Sequence, residues 1–150
     1  MKAFLALSVF IIFITVSCKF KSAEHAGAVA LPTGDSTFLA LKDTAQAHLQ
    51  TFIDSLKING SNTAEYRFAV KSDFVENGHH EHMWSDILKY DSGKFKGLFI
   101  DSAFVIKNIK TGDEVSISRA DIEDWFIYNK ITDKTIGYYS EKYLKGKEAK

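Results

Sequence analysis

The sequence predicts an α+β fold, with one amphipathic N-terminal helix packed on a curved antiparallel sheet of about five to six strands. Apolar residues recur at three- and four-residue steps in one early segment and at two-residue steps in several later ones. The breaks between the later segments are short and rich in turn residues. They leave no room for the dozen or more residues that a parallel crossover needs.

The helix is expected from Lys42 to Lys57, where Ala45, Leu49, Phe52, Ile53 and Leu56 fall on one face. Asp43, with Gln46 three residues on, is a candidate N-cap, and Asn59-Gly60 a candidate stop. From Glu65 the period becomes two: Tyr66, Phe68 and Val70 alternate with Arg67, Ala69 and Lys71, as in a half-buried strand. Further strands are expected at Glu81 to Tyr90, Lys94 to Ile100, Glu114 to Ser118, Phe126 to Tyr128 and Thr135 to Tyr139. The turns between them are Glu76-Asn77-Gly78, Asp91-Ser92-Gly93, Thr111-Gly112-Asp113 and Asn129 to Lys134. No internal repeat or low-complexity tract interrupts this order.

The 150 residues suit one compact domain. Twelve Phe, six Tyr and a single Pro make a core-forming composition. Basic and acidic residues balance at 19 each, which gives no electrostatic hold on nucleic acid. Lys2 is the one charge in residues 1–17, so a chain without them would carry 18 basic and 19 acidic groups.

Those first residues read as an address. After Met1-Lys2, the apolar run Ala3 to Val16 is shorter than the roughly 20 residues that span a bilayer, and it has the length of a signal-peptide core. Thr15-Val16-Ser17-Cys18 follows, similar to a bacterial lipobox except that Thr15 stands where Leu is usual. Cys18, the only cysteine, would be acylated with fatty acids such as palmitate and become the new N-terminus. The competing reading is a plain leader cut between Ala23 and Ala30, or an uncleaved anchor helix. The expected organisation is a signal peptide at 1–17, a tether at 18–37, a single domain at 38–145 and a basic tail at 146–150. The expected location is the cell envelope, lipid-anchored to the inner or outer membrane with the domain on the periplasmic face.

Four segments jointly resemble a bacterial family, domain of unknown function 2314, the YegJ-like family. They are Phe68-Ala69-Val70-Lys71 with Phe74, Glu81-His82-Met83-Trp84, Lys110 to Val115, and Ile122-Glu123-Asp124-Trp125, with Phe95-Lys96-Gly97 and Gly137 fitting the spacing. Where the family pattern has Asn-x-Pro, this chain has Asp101-Ser102-Ala103. The resemblance covers roughly Lys42 to Leu144 and implies an α+β domain, with no assigned reaction.

Several residues are candidates for chemistry. His79-His80-Glu81-His82 is the densest cluster, and strand alternation sends His80 and His82 to one face, as two ligands of a metal would need, with no third in sight. The competing role for His82 and Glu81 is to satisfy backbone groups. Glu81, His82 and Asp124 are the catalytic candidates if they converge in a cleft, for a small hydrolase or metal-dependent enzyme. Trp84 and Trp125 are core residues or, if exposed, a binding surface. Gly112-Asp113 reads as a hairpin turn, and Asp124 as a brace for the turn ahead of the next strand. Tyr138, Tyr139 and Tyr143 with Lys142, Lys145, Lys147 and Lys150 form either a basic surface strip or a frayed tail. No serine or threonine sits in a nucleophile setting, no glycine loop cradles phosphate, and no cofactor is expected. The preferred expectation is a non-catalytic binding or inhibitory module holding an envelope protein or peptide, with a small enzyme as the alternative.

Overall fold

The computed structural model describes residues 35–148, so the leader, Cys18 and most of the tether lie outside the described residues. Six strands form one antiparallel sheet in the order β4-β3-β2-β1-β5-β6: β1 Tyr66–Glu76, β2 His79–Asp91, β3 Lys94–Phe99, β4 Glu114–Ser118, β5 Ile122–Asn129 and β6 Lys134–Gly137. The fold is α+β.

Among the described residues three α-helices accompany the sheet where the periodicity predicts one. The predicted N-terminal helix is two, α1 Ser36–Ala47 and α2 Leu49–Asn59, broken at His48 (φ −97°, ψ 2°). The predicted cap also moves. Asp35, and not Asp43, accepts the Thr37 and Phe38 N–H groups, both at 3.0 Å, so α1 starts within the last residues assigned to the tether. Gly60 stops α2 as expected, its N–H donating to Leu56 O at 2.8 Å. α3, Tyr139–Glu148, replaces the end of the last predicted strand and runs into the stretch expected to be the basic tail.

Two strand pairs join through two-residue turns, Asn77–Gly78 and Ser92–Gly93, with positive φ at every position, as the twist-matching turn type requires. The β3–β4 connection differs in part from its prediction. Thr111-Gly112-Asp113 is a tight turn, Asp113 N–H donating to Lys110 O at 3.0 Å, but it does not join the strands directly: it ends a long loop, residues 100–113, closed onto β3 by Gly112 N–H to Phe99 O and Phe99 N–H to Asp113 O, both 2.8 Å.

Only Arg119–Asp121 separates β4 from β5, although β5 lies four strand spacings away in the sheet order. Four residue steps reach at most ~14 Å, whereas four spacings in a flat sheet are ~19 Å. The sheet must therefore coil, and α2 fills its concave side. Phe52 is fully buried there against Phe68, Phe95 and Trp125, with ring centroids 5.6, 5.7 and 5.6 Å away. Alternation places Phe68, Val70, Met83, Ile87 and Trp125 on this face. α3 crosses the opposite, outer face, where Lys71 Nζ meets Glu141 Oε1 at 3.0 Å with both side chains nearly buried.

Two irregularities shape the sheet. Between Lys71 and Ser72 the pairing with β5 jumps from Asp124 to Ile122, leaving Glu123 as the extra residue of a bulge. Between Ile87 and Lys89 a second shift frees Leu88, opposite Gly97. A Cβ on Gly97 would overlap the Asp86 carbonyl oxygen, so only glycine lets the strands approach there.

Candidate functional site

The catalytic candidates do not converge. Glu81 and His82 are neighbours on β2, so they leave the sheet on opposite faces. The Glu81 carboxylate collects the N–H groups of Phe104 (2.7 Å), Val105 (3.0 Å) and Ile106 (2.7 Å), and Glu76 takes that of Lys107 at 2.6 Å. Partial burial pushes the Glu81 pKa up, but the three backbone donors and the Lys107 charge outweigh it and hold the carboxyl below its ordinary range. Glu81 is thus the peg of the 100–113 loop. It keeps the loop folded while Phe104 stands 82% exposed at its tip.

His82 points to the outer side, where the bulge delivers Glu123. Its Nδ1 donates to Glu123 Oε2 at 2.6 Å, and Lys42 Nζ from α1 reaches Glu123 Oε1 at 3.1 Å. The hydrogen bond to Glu123 raises the His82 pKa above 6.5, against the opposing effect of burial. For Glu123, burial acts upward, yet His82 and Lys42 together pull its pKa below 4.5. This trio fastens α1 to the sheet. Sequence reasoning singled out neither Glu123 nor Lys42; the available signal was the pair of adjacent carboxylates, Glu123-Asp124, inside an otherwise apolar strand.

His80 shares that face, its Nδ1 2.6 Å from Asp73 Oδ2. Both imidazoles are thus tied to separate carboxylates, and the described residues contain no group of three or more His, Cys, Asp or Glu able to hold a metal. Asp124 is wholly buried. It accepts from Tyr139 N–H (3.1 Å), Ser140 N–H (2.7 Å), Ser140 Oγ–H (2.7 Å) and Trp125 N–H (2.8 Å), which makes it the cap of α3, supplied from another element. It is a brace, as the turn reading has it, but for a helix.

The two tryptophans part company. Trp125 is 1% exposed, its Nε1–H donating to Ala45 O at 2.8 Å, and it presents nothing to a partner. Trp84 lies half-buried on the outer face with Phe126 and Tyr138, at centroid separations of 5.1 Å (Trp84–Phe126), 5.6 Å (Trp84–Tyr138) and 5.4 Å (Phe126–Tyr138). Each ring carries a cation: Lys71 on Trp84 at 5.7 Å, Arg67 on Phe126 at 5.8 Å, Lys145 on Tyr138 at 5.5 Å. The Trp84 Nε1–H reaches Glu141 Oε1 at 3.3 Å.

Beside the cluster opens a hollow of about 190 Å³ lined by Arg67, Phe126, Tyr128, Thr135 and Tyr138. Tyr138 enters it from a left-handed backbone, φ +64°, a conformation that costs a bulky L-residue of order 1–3 kcal/mol. The preceding Gly137, φ +82°, is required because a Cβ there would overlap the Trp125 carbonyl oxygen and indole. The strain is held by Tyr138 N–H to Trp125 O at 2.8 Å and by the Asp124 cap immediately after it. Burial, then the charges of Glu141 and Asp124, raise the Tyr138 pKa, so its hydroxyl stays protonated.

Sheet, helices and this site define a small α+β domain whose candidate catalytic groups are occupied in holding the structure together and which carries an aromatic, cation-rimmed hollow on its outer face. The chain belongs to the family described as "uncharacterized protein conserved in bacteria (DUF2314)", whose model matches residues 35–149. It is similar to the "Uncharacterized protein YegJ" of Escherichia coli (strain K12), 30% identical over 113 residues, which cover 73% of this chain and 70% of the relative. No solved structure matches. No helix among the described residues is long and apolar enough to cross a membrane.

Proposed function

We propose that this chain is an envelope-anchored, non-catalytic binding or inhibitory module that holds a protein or peptide on the outer face of its sheet. The observation that carries the reading is the half-buried Trp84–Phe126–Tyr138 cluster beside an open hollow, maintained at the expense of left-handed backbone at Tyr138. Aromatic rings with cations over them recur at interaction hot spots. The hydrolase alternative built on Glu81 and His82 lacks a shared cleft, since the carboxylate is spent on three backbone amides of the loop and the imidazole faces away.

Attachment belongs to the same proposal: Cys18 carries fatty acyl chains, and residues 19–34 hold the domain off the membrane surface. Two or three chains are enough for stable anchoring where one is marginal. The test is crosslinking and affinity capture of the full-length protein in its own envelope, beside a Trp84→Ala variant and a Cys18→Ala variant fed a labelled fatty acid. The reading expects a specific partner that disappears with Trp84→Ala while the fold persists, and label that disappears with Cys18→Ala. Capture unaffected by Trp84→Ala would overturn the assigned face, and unlabelled wild type would overturn the anchor.

A further inference from the structure

Resting on the binding reading, we infer that the hollow is a carboxylate subsite and that its occupant is an acidic peptide. Arg67 carries the inference. Its Nε donates to Asp86 Oδ1 at 2.8 Å, which fixes the guanidinium in the wall of the hollow, and among the described residues neither Nη group meets an acceptor. A guanidinium held by one nitrogen offers the remaining N–H groups to a second carboxylate with little ordering left to do. The side chain is 39% exposed, so an arriving carboxylate can reach it.

The surroundings favour the same charge. Lys134, Lys142 and Lys145 stand exposed on β6 and α3: Lys134 precedes Thr135, Lys142 Nζ reaches Gly137 O at 3.1 Å, and Lys145 Nζ lies 5.5 Å from the Tyr138 ring. The nearby carboxylates are already engaged: Asp86 by Arg67, Asp133 by the Tyr128 hydroxyl at 2.8 Å, Glu141 by Lys71, and Asp124 by the α3 N-terminus. A cationic ligand would face Arg67 and the three lysines; an anionic one is drawn by them and displaces none of these contacts. Phe126, Tyr128 and Tyr138 supply apolar walls, so the peptide fits best with an aromatic or aliphatic residue next to its acidic one. A free carboxylate such as glutamate would share the Arg67 contact but leave these walls and the lysine rim unused.

The test uses a fluorescein-labelled decapeptide alternating Glu and Phe, its Lys-for-Glu counterpart and free glutamate, titrated into the full chain, with backbone amide shifts read by NMR. The expected result is saturable binding of the Glu–Phe peptide alone, with shifts centred on Thr135, Gly137 and Tyr138. Arg67→Gln should weaken it about tenfold or more, as loss of a charge-assisted fork does. Thr135→Trp, which fills the hollow and leaves Arg67 in place, should abolish it, while Lys57→Ala on α2 should leave it unchanged. Equal binding of the Lys–Phe peptide, equal affinity for free glutamate, or no effect of either hollow variant in a chain that still melts cooperatively overturns the inference. Shifts confined to the Phe104 loop overturn it too, yet leave a binding module standing; loss of Trp84-dependent capture in the envelope strikes the broader reading instead.

Discussion

Trp125 and Trp84 lie on the same sheet with only β1 between their strands, and they are held by different physics. On the concave face Trp125 is sealed among Phe52, Leu49 and Ile53, all 1% exposed or less, and its one polar atom is satisfied by the backbone of α1. On the outer face Trp84 is bounded by Lys71, Glu141 and Tyr138, so what covers it is a lysine–glutamate pair and a strained turn. A buried ion pair seldom adds net stability over an apolar substitute, because desolvation offsets the attraction. The concave face supplies stability, and the outer face supplies geometry at little net gain. That division is the one the proposed binding reading requires.

The contrast predicts a graded set of effects. Trp125→Ala should cost about 3–5 kcal/mol in urea unfolding, since the cavity lies where nothing can collapse into it. Asp124→Ala, which strands the part-buried amide of Tyr139 and the buried amide of Ser140, should cost about 3 kcal/mol and expose α3 to hydrogen exchange before the sheet opens. Trp84→Ala should cost about 1–2 kcal/mol, less than the effect at Trp125; an equal cost would erase the distinction between the faces. Glu81→Gln should leave global melting nearly unchanged while the amides of Phe104, Val105 and Ile106 exchange about tenfold faster.

The smallest effect is in pH. The folded pKa of His82 is raised, so its contribution is fully present below the unfolded value near 6.5 and is lost as pH rises through the higher folded value. Glu123 is lowered, so its contribution is present above 4.5 and is lost as pH falls through its folded value. The α1 attachment should therefore be firmest between those limits and loosen above neutrality by about 1 kcal/mol or less, because the imidazole is half in solvent. His82→Gln should flatten that slope in a melting series from pH 5 to pH 9.

What local sequence could reveal follows from this division. Strand positions were readable because Tyr66, Phe68 and Val70 alternate with Arg67, Ala69 and Lys71, and their ends because Asn77-Gly78 and Ser92-Gly93 favour tight turns; that the centre of β1 is buried on both faces, and not half-buried, was not, because α3 covers its outer side from far along the chain. Family membership was readable from the joint motifs. The break at His48 was not, because the apolar stripe of α2 continues in phase from Ala45 and periodicity is blind to a kink that preserves the face. α3 was hidden for the opposite reason: Tyr139–Glu148 has no apolar stripe, and it docks through Glu141, Ser140 and Leu144 onto partners as distant in sequence as Lys71 and Asp124. Glu123 was obscured by the bulge, which moves one residue out of the alternation that the reading relies on. The aromatic hollow joins Arg67 to Tyr138 across β1, β5 and β6, a neighbourhood created by strand order alone.

Tyr143 of α3 donates its hydroxyl to Asp35 Oδ2 at 2.9 Å, joining the last helix to the cap that starts the first. A pull arriving along the chain at Asp35 is thus divided between unwinding α1 from its end and shearing α3 off the sheet, and neither yields alone. The first and last helices are thereby linked through one phenol. Single-molecule stretching from residue 35 should find Tyr143→Phe yielding at lower force, with the outer face disordered in the same step.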